Sequence, residues 1–346
     1  MANQTAEAKQ SPMPERGAVT APRGSFADTF VLDFEKPVAE LERKIAEMRA
    51  IAAGPGMKSL SQEIDRMEKK AAHMRQEVYK SLSAWQKVQI ARHPRRPYTM
   101  DYLQRICDSW LELHGDRGFA DDHALVTGMA EIGGEKLMII GHQKGRGTKD
   151  NLFRNFAMAS PEGYRKALRF MKLAAKFNRP VLTLIDTPGA YPGLGAEERG
   201  QAEAIARNLF EMARLPVPVV AIVIGEGGSG GALAISVADE IYMLEYSIYS
   251  VISPEGCASI LYRDAGQAAQ AAEALKLTAQ DLVNLKIIDG IIEEPVGGAH
   301  ADYDLAAQRL RTKILECVTR LKKTEPRQLL AARHEKYEKM GFWVEG

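Results

Sequence analysis

The sequence predicts an α/β fold. Apolar runs that read as buried strands alternate with amphipathic helical patterns, and strands separated in this way pair in parallel. Two of the runs, Val181–Ile185 and Val217–Ile224, each lead into a glycine-rich turn and then a helical pattern. The turns are Asp186-Thr-Pro-Gly-Ala-Tyr-Pro-Gly193 and Gly225-Glu-Gly-Gly-Ser-Gly-Gly231. Strand, glycine turn, helix is an arrangement that aims backbone N–H groups at an anion.

A chain of 346 residues can bury a large core, and its length favours about two domains. A net charge of +1 exerts no general pull toward nucleic acid or acidic lipid. The three cysteines, Cys107, Cys257 and Cys317, lie far apart, which argues against a disulfide framework or a zinc site built by this chain alone. No apolar run reaches membrane-spanning length and the start is polar. Composition therefore favours a soluble, cytoplasmic, enzyme-like protein with reduced thiols.

Residues 1–26 are rich in Ala, Pro, Gly, Ser and Thr and are expected to be a disordered tail. Residues 27–97 hold a helical hairpin and a linker. Apolar residues at Val38, Leu41, Ile45 and Met48, then at Ile64, Met67, Ala71, Met74 and Val78, form one stripe on each helix. The hairpin stands outside the main pattern, so its stripe is expected at a subunit contact. Arg92-His-Pro-Arg-Arg-Pro97 reads as a basic linker that is either solvated or phosphate-binding.

Residues 98–300 form the main domain. Thr99 is expected to cap a helix whose buried side carries Tyr102, Leu103, Ile106, Trp110 and Leu113. Ala124–Met129 and Leu137–Ile140 read as a hairpin joined through Gly133-Gly134. The basic loop with Lys144, Arg146, Lys149 and Arg154 comes next. Ser160-Pro161 opens a helix that runs to about Phe177. Further helices are expected from about Ala196 to Arg214 and after Ser253-Pro254, with strands at Ile241–Glu245 and Ile287–Glu293. Residues 301–346 form a charged, largely helical extension.

The second glycine turn fits several motifs. Gly225-x-Gly227-x-x-Gly230 matches a dinucleotide fingerprint, with Glu245 near the place of the ribose acid. Gly227-x-Ser229-x-Gly231 matches a nucleophile elbow. A backbone oxyanion hole and a tight crossover that simply needs small residues are the other readings. At least three strands precede the turn, against a first-βαβ fingerprint. His300 and His334, downstream, have no evident orienting acid for a hydrolase. Asp186-Thr-Pro-Gly189 resembles a GTPase turn, but no GxxxxGK[ST] loop accompanies it. Two backbone-donor turns without a nucleophile–base pair suit the stabilisation of a developing enolate or oxyanion.

Five segments together carry a family resemblance: Gly141-His-Gln-Lys-Gly-Arg-Gly-Thr-Lys-Asp150, the first glycine turn, Gly195-Ala-Glu-Glu-Arg-Gly-Gln201, Gly225–Ile235 and Tyr249–Ser259. The sequence resembles the carboxyltransferase alpha subunits of bacterial acetyl-coenzyme A carboxylase, over about residues 30 to 325. Ala157 and Tyr262 stand where that family more often has glycine and tryptophan.

The resemblance implies a crotonase-like spiral of ββα units, with the helical hairpin at its N-terminus. It implies transfer of a carboxyl group from carboxybiotin, a co-substrate on a biotin carboxyl carrier protein, to acetyl-CoA. The product is malonyl-CoA for fatty-acid synthesis. No covalently bound cofactor is expected here. A beta subunit with a zinc ribbon, a biotin carboxylase and an α2β2 core are the implied partners. The resemblance puts the biotin oxyanion donors at Gly230 and Gly231, with Gly227 and Gly228 shaping the approach. Gly189, Ala190 and Tyr191 would form the neighbouring substrate wall. Lys144 and Arg146 are expected at CoA phosphates or at the subunit boundary. Ser229 is not expected to be a nucleophile, nor His142 a base.

Overall fold

The computed structural model describes residues 30–52 and 58–341. The expected disordered tail falls outside the described residues. Helices α1 (Lys36–Ala52), α2 (Lys58–Lys80), α3 (Ala84–Ala91) and α4 (Thr99–Ile106) come first. Three antiparallel strands come after them: β1 (Ser109–Glu112), β2 (Leu125–Ile132) and β3 (Glu135–His142). After α5 (Thr148–Phe153) and α6 (Pro161–Lys176), β4 (Val181–Thr187) pairs in parallel with β3. Helices α7 (Leu194–Glu198) and α8 (Gln201–Ala213) lead to β5 (Val219–Gly228), α9 (Ser229–Leu233), β6 (Glu240–Leu244) and β7 (Ile248–Ser250). Then come α10 (Pro254–Leu261), α11 (Ala268–Leu275), α12 (Ala279–Asn284), β8 (Gly290–Ile292), α13 (Tyr303–Leu321) and α14 (Pro326–Glu338). The sheet order is β1-β2-β3-β4-β5-β6-β8, and β7 pairs with the far end of β5.

Parallel strands covered on both faces carry apolar residues at every position rather than alternate ones. On β5, Val219, Ala221 and Val223 enter one core, beneath α6 and α8. Val220, Ile222 and Ile224 enter the other, with Tyr102, Leu103 and Ile106 of α4 and Leu310, Ile314 and Val318 of α13. The β2–β3 hairpin closes through Gly133 (φ 57°) and Gly134 (φ 82°), a two-residue turn with both residues in the left-handed region.

Several expectations are corrected. The first helix of the main domain ends at Ile106, because Cys107 turns extended and Asp108 N donates to Glu131 O at 2.7 Å, so Trp110 lies on β1. Thr99 is the first helical residue; the cap is Tyr98, whose N–H is taken by Asp101 Oδ2 at 2.7 Å. The helix expected from Ala196 to Arg214 is broken at Gly200, which is left-handed (φ 83°).

The hairpin stripe is covered within the chain. Ile45, Ile64 and Ala71 pack together with Leu41, Met48 and Met67, and the ion pairs Glu42–Arg75 and Arg49–Glu68 show the helices running antiparallel. Tyr79, with Leu32, Ile90 and Tyr246, joins the hairpin base to the body. The basic run 92–97 is no solvated linker. Arg96 is fully buried, its guanidinium forked onto Glu294 at 2.9 and 2.5 Å and its Nε donating to Ile224 O at 2.8 Å.

The C-terminal extension is fastened in the same way. Arg333 of α14 is 1% exposed. It donates to Asp239 at 2.8 and 2.7 Å and to the carbonyls of Met212, Leu215 and Val217. Asp239 Oδ2 also takes Val219 N at 2.7 Å, so this pair holds the start of β5. Arg333→Met strips a buried carboxylate and three carbonyls of their guanidinium donor, and should destabilise the protein by about 3–5 kcal/mol. A urea midpoint unchanged from the parent would show that α14 is not a fastener.

Candidate active site

The site is built where β4 and β5 run out side by side. Thr187 pairs with Gly227, so the residues just beyond each strand meet. Backbone can approach backbone here only because side chains are missing. A Cβ on Gly228 would lie 2.1 Å from Pro188 O, and one on Gly231 would lie 2.4 Å from Gly189 C and 2.5 Å from Ala190 N. Gly230 differs: its added Cβ would meet only Ile205, at an ordinary 3.5 Å.

The amides of the first turn divide by partner. Gly189 N donates to Thr187 Oγ1 at 3.1 Å, while that hydroxyl donates to Gly189 O at 2.7 Å. Tyr191 N donates to Ala159 O at 3.0 Å, and Gln201 Nε2 braces the carbonyls of Ala159 and Tyr191 at 2.8 and 2.9 Å. Between these tied residues, Ala190 N has no hydrogen-bond acceptor among the described residues.

The second turn is shorter than expected, because β5 continues through Gly227 and Gly228, which pair with Tyr249 and Ser250 of β7. The chain then reverses in one step at Ser229 (φ 50°) and enters α9. Gly230 and Gly231 sit in the first turn of that helix, where no carbonyl lies one turn back to take their N–H groups. No acceptor outside the helix takes them among the described residues. Three amides, those of Ala190, Gly230 and Gly231, are thus left over where the two turns touch.

Among the described residues, no nucleophile with its base accompanies them. Ser229 is exposed, and among the described residues no hydrogen bond joins it to a histidine or an acid. His142 is fully buried; burial and the Lys144 ammonium push its pKa down to about 3, so the ring is neutral. His334 faces Ala213 O at 3.2 Å.

The two cations expected at the substrate are held inside the chain. Lys144 Nζ lies 2.6 Å from Asp186 Oδ1 and 3.8 Å from Glu226 Oε2. Burial disfavours its charge, but the two carboxylates outweigh this and hold its pKa above the ordinary lysine value. Arg146 donates to Asp101 Oδ2 at 2.6 Å and to Pro94 O at 3.1 Å, and lies over the Tyr98 ring at 4.5 Å. Arg154 reaches Asp150 and His123 O. A phosphate arriving at Lys144 or Arg146 would have to displace these partners.

Among the described residues, Glu35, His93 and His300 are the one group close enough to hold a metal. The two imidazoles stack face to face at 3.8 Å, and His93 Nδ1 already accepts from Arg95 N at 3.1 Å. Burial and nearby arginines push His300 down to about 2 and His93 down to about 4. A trio flanked by Arg75, Arg95 and Arg96 is a poor cation site, and its two neutral imidazoles serve as a packing contact.

Sequence reasoning overlooked Thr187, Gln201 and the work of Asp186. The available signal was an acid closing a mostly apolar strand: a carboxylate 1% exposed must be paired or hydrogen-bonded.

The acetyl co-enzyme A carboxylase carboxyltransferase-like family matches residues 31–341, further than the expected limit near 325 and including α14. The acetyl-coenzyme A carboxylase carboxyl transferase subunit alpha of Geobacter metallireducens is 56% identical over 320 residues, 92% of this chain and 100% of that one. Its counterpart in Pasteurella multocida is 55% identical over 311 residues, 90% of this chain and 98% of that one. Among solved structures, transcarboxylase 12S with methylmalonyl-coenzyme A and methylmalonic acid bound matches with a TM-score of 0.55 and 20% identity, over 68% of this chain and 44% of that longer one. A Pseudomonas malonate decarboxylase hetero-tetramer in complex with coenzyme A matches with a TM-score of 0.54 and 19% identity, over 69% of this chain and 92% of that one. These structures bear out the crotonase-like fold. By the length matched and the identities, the chain belongs to the acetyl co-enzyme A carboxylase carboxyltransferase-like family, as a subunit of alpha type.

Proposed function

We propose that this chain forms the biotin side of an acetyl-CoA carboxyltransferase, completed by a beta subunit that carries a zinc ribbon. It takes the carboxyl group of carboxybiotin, presented by a carrier protein that a separate biotin carboxylase loads, and passes it to acetyl-CoA. An α2β2 core in the cytoplasm is the expected assembly. The observation that carries this reading is the convergence of three unengaged amides, those of Ala190, Gly230 and Gly231, with no nucleophile–base pair beside them.

The chemistry needs little else from the protein. As the N1–carboxyl bond of the substrate breaks, its electrons move onto the ureido oxygen. N1 then takes a proton from the acetyl methyl group, and that carbon bonds to the released carboxyl carbon. The base comes with the substrate, so the protein's part is to stabilise negative oxygen and keep out water. One preorganised donor of this kind contributes about a hundredfold to a thousandfold in rate. In this reading Gly230 and Gly231 donate to the ureido oxygen. Gly227 and Gly228 keep the approach free of side chains, and Gly189, Ala190 and Tyr191 form the facing wall. Lys144 and Arg146 act from behind the turns, since each charge is already met within the chain.

Gly230 is the position that separates function from folding, because a side chain there has room. Gly230→Val should lower carboxyl transfer by about a hundredfold to a thousandfold while the thermal midpoint stays close to the parent's. Near-normal turnover would remove Gly230 from the site. Ser229→Ala should retain most of the activity; its loss, with a covalent phosphonate adduct on the parent protein, would favour a hydrolase. The chain alone should not decarboxylate malonyl-CoA in the presence of biotin, and adding the zinc-ribbon partner should restore the reaction. Turnover by the isolated chain would refute the shared site.

A further inference from the structure

β4 and β5 do not stay in step. From Ile185↔Val223 to Thr187↔Gly227, β4 advances two residues (185 to 187) and β5 advances four (223 to 227). Asp186 therefore stands alone opposite Ile224, Gly225 and Glu226. An irregularity of this kind removes backbone groups from the ladder and re-aims the residues beyond it. Charged side chains meet two of those groups. Asp186 Oδ1 accepts Glu226 N at 2.9 Å, and Arg96 Nε donates to Ile224 O at 2.8 Å. Gly225 makes room: a Cβ there would sit 2.4 Å from Asp186 Oδ1.

Asp186 is 1% exposed, and a carboxylate so buried needs a counter-charge. Lys144 supplies it, with Nζ 2.6 Å from the same Oδ1. The network continues outward: Glu226 Oε1 accepts from Arg92 Nε at 2.8 Å, and Arg92 Nη1 donates to Glu255 of α10 at 2.6 Å. The residues so held immediately precede Thr187–Ala190 on one strand and Gly227–Gly231 on the other.

We propose that Asp186 and Lys144 form a positioning pair that holds the extra residues of β5 against β4 and thereby aims the Gly230 and Gly231 amides. The pair touches no substrate; it acts through the register of the two strands. This inference rests on the reading of those amides as oxyanion donors. Positional errors near 1 Å cost about a hundredfold in rate, so loss of the pair should appear in kcat.

The test uses the enzyme reconstituted with its partner subunit, with malonyl-CoA and free biotin as substrates. Three variants are compared with the parent: Lys144→Met, Asp186→Asn and the double variant. Lys144→Met strands a buried carboxylate and should lower kcat about tenfold to a hundredfold, with KM for malonyl-CoA nearly unchanged. The double variant is neutral and keeps Oδ1 to accept the Glu226 N–H, so it should recover at least about tenfold of that loss. If Lys144→Met does not fold, Asp186→Asn and the double variant carry the same comparison. A raised KM with kcat unchanged would make Lys144 a substrate contact and overturn the proposal. So would recovery of the thermal midpoint in the double variant without recovery of kcat. Gly230→Val is run beside them. If it is fully active, the donor reading has failed; if it is impaired while the pair variants are not, only the positioning pair has.

Discussion

Two stretches of main chain touch here only because one of them carries no side chain at the contact, and this is the constraint on which the site depends. Gly228 meets Pro188, and Gly231 meets Gly189 and Ala190, at separations that a methyl group would close. Closeness alone would not leave donors available. Thr187, Ala159 and Gln201 engage the neighbouring groups of the first turn and hold its shape, while the one-step reversal at Ser229 places Gly230 and Gly231 at a helix start. Among the described residues their N–H groups remain unengaged, because the strand has ended and the helix has only begun.

Around this contact the protein uses buried charge as a set of fasteners. Arg96–Glu294 joins the run after α3 to the far end of the sheet, Arg333–Asp239 ties α14 to the start of β5, and Lys144–Asp186 sits under both turns. A buried pair contributes little net stability compared with an apolar replacement, yet breaking one partner is costly. Such pairs suit places where geometry has to be held. Each of these three touches β4 or β5, or the backbone at their ends.

Much of the architecture was legible from pattern. The stripes of α1 and α2, the Gly133-Gly134 hairpin and the Pro161 helix start come from periodicity and turn chemistry, which act within a few residues. Trp110 was misread because a three-to-four spacing continued past Ile106, while the strand that claims it pairs with residues 128–131, about twenty positions on. The 92–97 run was misread because a basic, proline-rich stretch resembles a linker until Glu294 is brought to it from nearly two hundred residues away. At the site, the two glycine turns and the want of a partner base for Ser229 were legible. The ion pairs of Lys144 and Arg146 were not, because their partners Asp186 and Asp101 are distant in sequence.

The alternation of strands and helices and the two glycine turns are properties of residue types in sequence, and the sequence by itself determined them. Tertiary structure decided which amides stay unengaged, where β5 ends and which cations are already neutralised. Those outcomes depend on hydrogen bonds and ion pairs between segments far apart in the chain, and they are settled only when the strands lie side by side.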